Sequence, residues 1–355
     1  MRRISKPISI GGVVVGGGAP VTVQSMTNTD TRDAPATIRQ IHALEEASCE
    51  IIRVAVPDRA AADALSAIKQ GIHIPLIADI HFDYRLALAA LDAGVDGLRL
   101  NPGNIGSEER VQQVVLRAKE RQVPIRIGVN AGSLPKDLDN DSTLPTVDKM
   151  VTAAMRHVKI LEDLDFTMIK LSLKAFDVPT TVEAYRRVAE MTPYPLHLGI
   201  TEAGLPDVGA IRSAVGLGIL LYEGLGDTLR VSLTGDPLDE VKVGYEILKS
   251  LNMRQRGPVM ISCPTCGRTE IDLVSLAQQV SERLKAIDEP IKVAVMGCVV
   301  NGPGEAKGAD FGLAGGKGKG VIFRKGEIVR TVPESELLDA LMQEIEAGLS
   351  TPEGF

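Results

Sequence analysis

Over residues 20 to about 235 the chain alternates eight times between a short β-branched run and a longer stretch of helical period. No other property of the sequence limits the fold as much. Strand-length runs fall at 21–25, 51–56, 75–79, 97–100, 125–129, 167–173, 196–200 and 228–232. Between them lie amphipathic stretches such as 36–47, 59–69, 84–93, 108–119 and 150–161. Strand followed by helix, repeated, builds a parallel sheet with right-handed crossovers. Eight such repeats fit a (β/α)8, or TIM, barrel in size and count. An open doubly wound sheet would carry a G-x-G-x-x-G turn between a strand and a helix, and no strand here leads into one. After Pro237 the helical stretch 238–251 closes the barrel, and 252–258 reads as a linker. The rest repeats the pattern on a smaller scale, with apolar runs at 259–262 and 291–296 and a helical stretch at 272–287. A hairpin over 320–324 and 327–331 and a final helix at 334–347 follow. The expected fold is α/β: a TIM barrel over 1–252 and a small α/β domain over 258–355.

The carboxyl ends of the strands carry Gln24-Ser25-Met26, Arg53, Asp79 with His81, Arg99 with Asn101, and Arg126 with Asn130. The later strands add Lys170, Ser172 and Lys174, then Thr201-Glu202, then Arg230 with Ser232. Central parallel strands normally read as near-continuous apolar runs, and barrel active sites are built at this end. Buried charge is costly unless paired, so four Arg and a Lys converging on one barrel mouth call for an anionic ligand. The guanidinium fork suits phosphate. Pairing with Asp79, Asp96, Glu202 or Asp227 would explain any one of these Arg as readily, but not all four together. The expected ligand is a phosphorylated, multiply charged small molecule.

Composition excludes other partners. A formal charge of −7, 3% aromatic residues and no Trp argue against nucleic acid. Residues 7–29 carry no charge and follow Arg2, Arg3 and Lys6, but glycines and polar residues interrupt them. They make neither a signal-peptide core nor a membrane span. Val13-Val14-Val15 between glycines reads as a hairpin strand, so a cytoplasmic protein without a membrane partner is expected.

Three of the four cysteines lie in the second domain, in loops that follow strand-like runs: Cys263 and Cys266 in Cys-Pro-Thr-Cys, and Cys298 in Gly-Cys-Val-Val-Asn-Gly-Pro-Gly-Glu. A zinc ribbon would need a second C-x-x-C or a His, and no His follows His197. Three thiolates leave a fourth position for a carboxylate, water or substrate, and Glu305 is the best-placed carboxylate. Such a set suits an iron–sulfur cluster that opens one iron to substrate. Structural zinc, a redox dithiol and unliganded thiols remain alternatives. Cys49 reads as a buried bystander, and His42, His73 and His157 as structural or surface residues. The glycine- and lysine-rich segment 315–320 reads as a flexible surface turn rather than a phosphate loop.

The segments ADIHF (78–82), LRLNPGNIG (98–106), IRIGVN (125–130), HLGITEAG (197–204), GDTLRVSLT (226–234), CPTCGR (263–268) and GCVVNGPGE (297–305) together resemble one family. That family is 4-hydroxy-3-methylbut-2-enyl diphosphate synthase, of the methylerythritol phosphate route to isoprenoids. The resemblance runs from about residue 4 to residue 345 and is to the compact two-domain bacterial form. It implies an oxidoreductase that opens the ring of 2-C-methyl-D-erythritol 2,4-cyclodiphosphate and expels a hydroxyl as water. Electrons would arrive singly through a [4Fe–4S] cluster from flavodoxin or ferredoxin. The second domain would be like a sulfite-reductase module. By the same resemblance Cys263, Cys266, Cys298 and Glu305 are the cluster ligands. Arg53, His81, Arg99, Arg126, Asn130, Lys174, Arg230 and Ser232 fall on substrate-binding positions, with Glu202 as an acid near the reacting carbons and Glu305 exchangeable for substrate oxygen. A head-to-tail homodimer is implied as well. The competing readings are a non-redox barrel enzyme or an interaction protein, either one with zinc in the second domain.

Overall fold

The computed structural model describes residues 2–298 and 307–350. They divide into two compact units, Met1–Arg254 and Gln255–Phe355.

In the first unit a two-stranded antiparallel hairpin, β1 (Ile8–Ile10) and β2 (Val13–Val15), precedes the barrel. Gly11 and Gly12, at φ 53° and 92°, make its two-residue turn, a left-handed pair that only glycine enters freely. The barrel strands are β3 (Thr22–Met26), β4 (Ile51–Ala55), β5 (Leu76–Asp79), β6 (Gly97–Arg99), β7 (Ile125–Asn130), β8 (Ile169–Lys174), β9 (His197–Leu198) and β10 (Thr228–Leu229). Each pairs in parallel with its sequence neighbour, except that β8 meets the β9 segment through the bridge Leu171–Leu196. The ring closes where Thr228 of β10 pairs with Thr22 of β3. Ile8, Ile10 and Val15 pack on Ile51 and Ile77, so the hairpin plugs the amino-terminal end of the barrel.

The helices between the strands are α1 (Ala34–Glu46), α2 (Arg59–Gln70), α3 (Tyr84–Asp92), α4 (Glu108–Glu120), α5 (Lys136–Asp139), α6 (Thr146–Asp163), α7 (Val178–Met191), α8 (Pro206–Tyr222) and α9 (Pro237–Ser250). Five of them begin on an aspartate whose carboxylate accepts an N–H of the first turn: Asp33, Asp58, Asp83, Asp177 and Asp236. Such caps satisfy donors that the helix itself leaves unpaired. Outward strand residues such as Val23, Val54, Leu98, Ile127 and Leu173 join the helices in one apolar core. The strand interior is left to other residue types.

His157 on α6 is a core residue. Its Nδ1 accepts the Gly103 N–H at 3.0 Å, and burial, with repulsion from Arg156, pushes the imidazole down to about 4. An unfolded His takes up its proton near pH 6.5. This group therefore stabilises the fold fully above that pH, and the contribution is lost as pH falls toward 4. Between pH 7 and 4 the loss amounts to about 3 kcal/mol. Urea unfolding of His157→Gln, which keeps an acceptor for Gly103, should lack that share of the acid slope; an unchanged slope would refute the assignment.

The second unit holds β11 (Val259–Ser262), α10 (Leu273–Leu284), β12 (Lys292–Met296), β13 (Phe311–Gly316), β14 (Lys319–Arg324), β15 (Glu327–Pro333) and a last helix, α11 (Leu337–Leu349). They form a five-stranded sheet in chain order, parallel from β11 to β13 and antiparallel from β13 to β15. The sequence reading missed β13, because Phe-Gly-Leu-Ala-Gly-Gly looks like a loop. Its glycines are there for space: a Cβ on Gly312 would collide with the Phe323 ring, and one on Gly315 with Ile271. The expected flexible turn at 315–320 is instead a tight hairpin, with Gly316 paired to Lys319 and Gly318 at φ 69°.

Candidate active site

Side chains alternate across a strand, and the lumen side of this barrel carries charge. Arg53, Asp79, Arg99, Arg126, Lys170, Lys174 and Arg230 all lie on strands or immediately after them. The register sets Asp79 beside Arg99, Arg99 beside Arg126, and Arg126 beside Lys170. Two carboxylates organise this group. Asp79 accepts from Arg99 Nη1 at 3.3 Å and lies 3.7 Å from Arg53 Nε and 3.5 Å from His81 Nε2. Burial alone would raise its pKa, but Arg53, His81, Arg99 and Arg126 together hold the carboxyl well below the usual range. Glu240, near the start of α9, takes Arg230 in a bidentate grip at 3.0 and 2.8 Å. It also accepts from Ser25 Oγ and the Leu233 N–H. Burial nonetheless pushes its pKa up, against the pull of Arg230.

Of the four carboxylates considered as structural partners, only Asp79 serves. Asp96 pairs with Lys69, and Asp227 sits at the other end of the barrel with Arg2, Ser5 and the Leu196 N–H. Glu202 makes no ion pair among the described residues. The second anion, Glu240, was missed, since nothing in the chain marks one acidic residue of an amphipathic helix as turned inward.

Two carboxylates do not balance this many cations. Arg53, half-shielded against Met26 Sδ at 2.9 and 3.1 Å, is pushed down to about 10 by burial, opposed by Asp79 and reinforced by Arg230 and Arg99. Arg126 is 2% exposed, and its Nε and Nη1 have no hydrogen-bond partner among the described residues. Burial, then Arg53 and Arg99, lower its pKa far below the ordinary value. Lys174 is depressed by burial and by Arg126, Arg53 and Arg230, and its ammonium lies over Gly199, where a Cβ would collide with it. Gly128 is needed for the same reason, because a Cβ there would stand 2.7 Å from Arg99 Nε. Among these cations, an ordered polyanion would remove like-charge repulsion and supply acceptors for buried donors at once.

The remaining expected residues ring this cluster. Asn130 ends β7 and, with Ala131, Gly132, Ser133, Phe176, Thr201 and Glu202, lines a cavity of about 250 Å3. Glu202 is exposed and held at φ 55°, a left-handed conformation that non-glycine residues keep only where the surroundings enforce it. Here Arg212 donates to the Ala203 carbonyl, and the Thr234 N–H donates to that of Gly204 at 2.9 Å. His81 lines a second cavity of about 310 Å3 with Asp79, Ala55 and Pro57. Ser232 accepts from Arg230 Nη1 at 2.6 Å. Lys170, which the family resemblance leaves out of the substrate-binding set, lies on the same face of β8 as Lys174 and is 1% exposed with its Nζ unpartnered among the described residues.

In the second unit Cys263 follows β11 and Cys298 follows β12, on neighbouring parallel strands whose ends pair Ser262 with Val295. The Gly297 N–H donates to Cys263 Sγ at 3.3 Å. Cys266 is exposed, and hydrogen bonds from the Arg268 backbone and side chain lower its thiol pKa. All three thiols are free. A Cys266 thiol held toward the thiolate form and a Cys263 sulfur that accepts a backbone N–H fit an iron–sulfur ligand set. Glu305, the fourth expected ligand, lies outside the described residues. Cys49 is buried, donates to the Ile51 carbonyl, and has its thiol pushed up to about 12 by burial; it is inert.

Residues 5–245 match the family model of the GcpE TIM-barrel domain, and 259–347 match the GcpE protein C-terminal domain. Among curated relatives, the chain is 66% identical to the 4-hydroxy-3-methylbut-2-en-1-yl diphosphate synthase (flavodoxin) of Dehalococcoides mccartyi, over 97% of this chain and 98% of that one. It is 62% identical to the protein of the same name from Geobacter sulfurreducens, over 98% of both. Among solved structures, wild-type HPPK-DHPS of Plasmodium falciparum matches at TM-score 0.50 and 10% identity, over 70% of this chain and 52% of that one. That likeness concerns the barrel fold alone.

Proposed function

Since the chain belongs to the GcpE family of 4-hydroxy-3-methylbut-2-en-1-yl diphosphate synthases, oxidoreductases of isoprenoid biosynthesis, we propose that its substrate is 2-C-methyl-D-erythritol 2,4-cyclodiphosphate. The observation that carries this reading is Arg126, buried with two unpartnered guanidinium nitrogens among further cations of the barrel lumen. A cyclic diphosphate supplies dense negative charge in a compact ring. Arg53, Arg99, Arg126, Lys174 and Arg230 neutralise it, and Asn130, Ser232 and His81 orient it. Asp79 and Glu240 hold the guanidiniums so that they do not swing out toward water when the site is empty.

A [4Fe–4S] cluster held by Cys263, Cys266, Cys298 and Glu305 would supply electrons one at a time, from flavodoxin as the relatives' name suggests, or from ferredoxin. The overall change takes up an electron pair. The ring C–O bond to phosphate breaks and leaves its oxygen anionic, and the departing hydroxyl takes one proton and leaves as water. The cations of the lumen stabilise the phosphate oxygen freed in this way. Glu202 is the proton donor: its loop is fixed, it carries no competing ion pair among the described residues, and it faces the same cavity as Asn130. Glu202→Gln should lower kcat by about 10^2–10^4-fold with little change in KM and normal iron content. A variant that turns over normally removes Glu202 from this role.

The head-to-tail homodimer belongs to the same reading, with one subunit's cluster serving the partner's barrel. Mixing Cys298→Ala subunits with Glu202→Gln subunits should then restore turnover in one of two composite sites, and no recovery counts against the arrangement. No helix among the described residues is long and apolar enough to cross a membrane. The decisive test is anaerobic purification. A broad visible absorption with about four irons per chain, bleached by reductant and turning over the cyclodiphosphate, supports the proposal. A colourless zinc protein refutes it.

A further inference from the structure

His42, Glu45 and His73 converge on the outer surface of the barrel, at the end opposite the cationic mouth. One potential ligand atom from each lies within 4.8 Å of the other two. We infer that this cluster is a site for a borderline divalent cation, zinc above all, that clips α1 to the segment between α2 and β5.

His42 and Glu45 share one face in the last turns of α1, three residues apart. Glu45 is already tied to the other segment: one oxygen accepts the N–H groups of His73 and Ile74 at 2.7 and 3.1 Å, and the other meets His73 Nδ1 at 2.9 Å. His42 Nε2 lies 2.7 Å from the Gly71 carbonyl. A carbonyl can only accept, so Nε2 carries the proton and Nδ1 is left with its lone pair. The two imidazoles lie 5.7 Å apart, inclined by 28°. A histidine whose far nitrogen donates to a backbone carbonyl, and a carboxylate anchored by backbone N–H groups, are the supports that orient metal ligands.

The surroundings favour a cation independently of the ligands. α1 ends at Glu46 and α2 ends at Gln70, so the negative ends of two helix dipoles point at this spot. Glu45 is held below its ordinary pKa despite burial, by hydrogen bonds from His73 and Ile74, and is therefore ionised at neutral pH. Two imidazoles and one carboxylate suit zinc at about 2.0–2.2 Å, with water completing the tetrahedron. Inserting the ion replaces the proton between His73 and Glu45 and opens that contact by a few tenths of an ångström. His73 is mostly exposed, which gives the ion a way in.

The cluster lies at the amino-terminal end of the strands, away from the end where barrel active sites are built, so the ion would be structural, and the inference stands apart from the proposed reaction. The test uses anaerobically prepared, iron-loaded holoenzyme, so that Cys263, Cys266 and Cys298 are already occupied, titrated with Zn2+ against a chromophoric chelator. One zinc per chain is expected at micromolar or tighter affinity, weakened by about 100-fold in His73→Asn and in His42→Asn. Iron content and turnover should be unchanged in both variants. His73→Asn alters an exposed side chain, so a folding failure would not mask the result. Equal zinc affinity in the wild type and both variants overturns the inference, as does wild-type binding weaker than about 1 mM, typical of stray surface contacts.

Discussion

Cys298→Ala should abolish turnover and strip the protein of iron, while the barrel unfolds at its usual denaturant concentration. Cys298 is 9% exposed at the end of β12, next to Gly297, whose N–H already bonds Cys263 Sγ. Removing one thiolate from the proposed three-thiolate set would leave too few soft ligands to retain a cluster. Its loss should cost more than about 10^4-fold in activity, beyond what losing one acid–base group would cost. Iron and sulfide analysis, visible absorption and turnover with reduced flavodoxin should fall together. Cys49→Ala is the control: it empties a buried thiol pocket in the barrel and should leave iron content untouched. A Cys298→Ala protein that keeps its colour and activity would remove the ligand assignment.

Arg126→Met should move stability and binding in opposite directions. The guanidinium is buried, two of its nitrogens lack partners, and its nearest charged neighbours include Arg53 and Arg99. An apolar side chain of similar length escapes that desolvation and repulsion, so the ligand-free protein should gain about 1–2 kcal/mol. Losing a buried charge contact costs about 2–5 kcal/mol in affinity. Binding of the cyclodiphosphate should therefore weaken roughly 30-fold to several thousand-fold. Calorimetric melting of the ligand-free protein and titration with substrate read the two arms separately. A destabilised variant that binds normally would show that Arg126 is a structural residue with a partner of its own.

The barrel was legible because its signals are local. Strand–helix alternation fixes most elements to within a residue or two, and charge at strand ends marked the mouth. What escaped depended on packing. β9 and β10 shrink to two residues each, shorter than the apolar runs imply, and Gly199 is glycine because a Cβ there would collide with Lys174. β13 hid behind glycines that make space for Phe323 and Ile271. Glu240 looks like any acidic residue of an amphipathic helix until the fold turns it against Arg230 and Ser25. His42 and His73 are unremarkable singly; only the approach of the α2–β5 segment to α1 brings them together.

The closing pairs of the barrel join its two extremes in sequence. Thr22 pairs with Thr228, Arg2 bonds Asp227, and Arg254 reaches Glu50 and the Val21 carbonyl across more than 200 residues. On the ribosome, then, the ring cannot shut until Thr228 and Leu229 have left the exit tunnel, and until that moment β3 presents an open edge. Domains complete themselves in order of synthesis, so nascent chains pass through a late stage in which an unclosed sheet is open to stray strand pairing. Cys263, Cys266 and Cys298 are made only after every strand of the barrel. A cluster held as proposed by Cys263, Cys266 and Cys298 would therefore be loaded onto a chain whose barrel strands have all been made already.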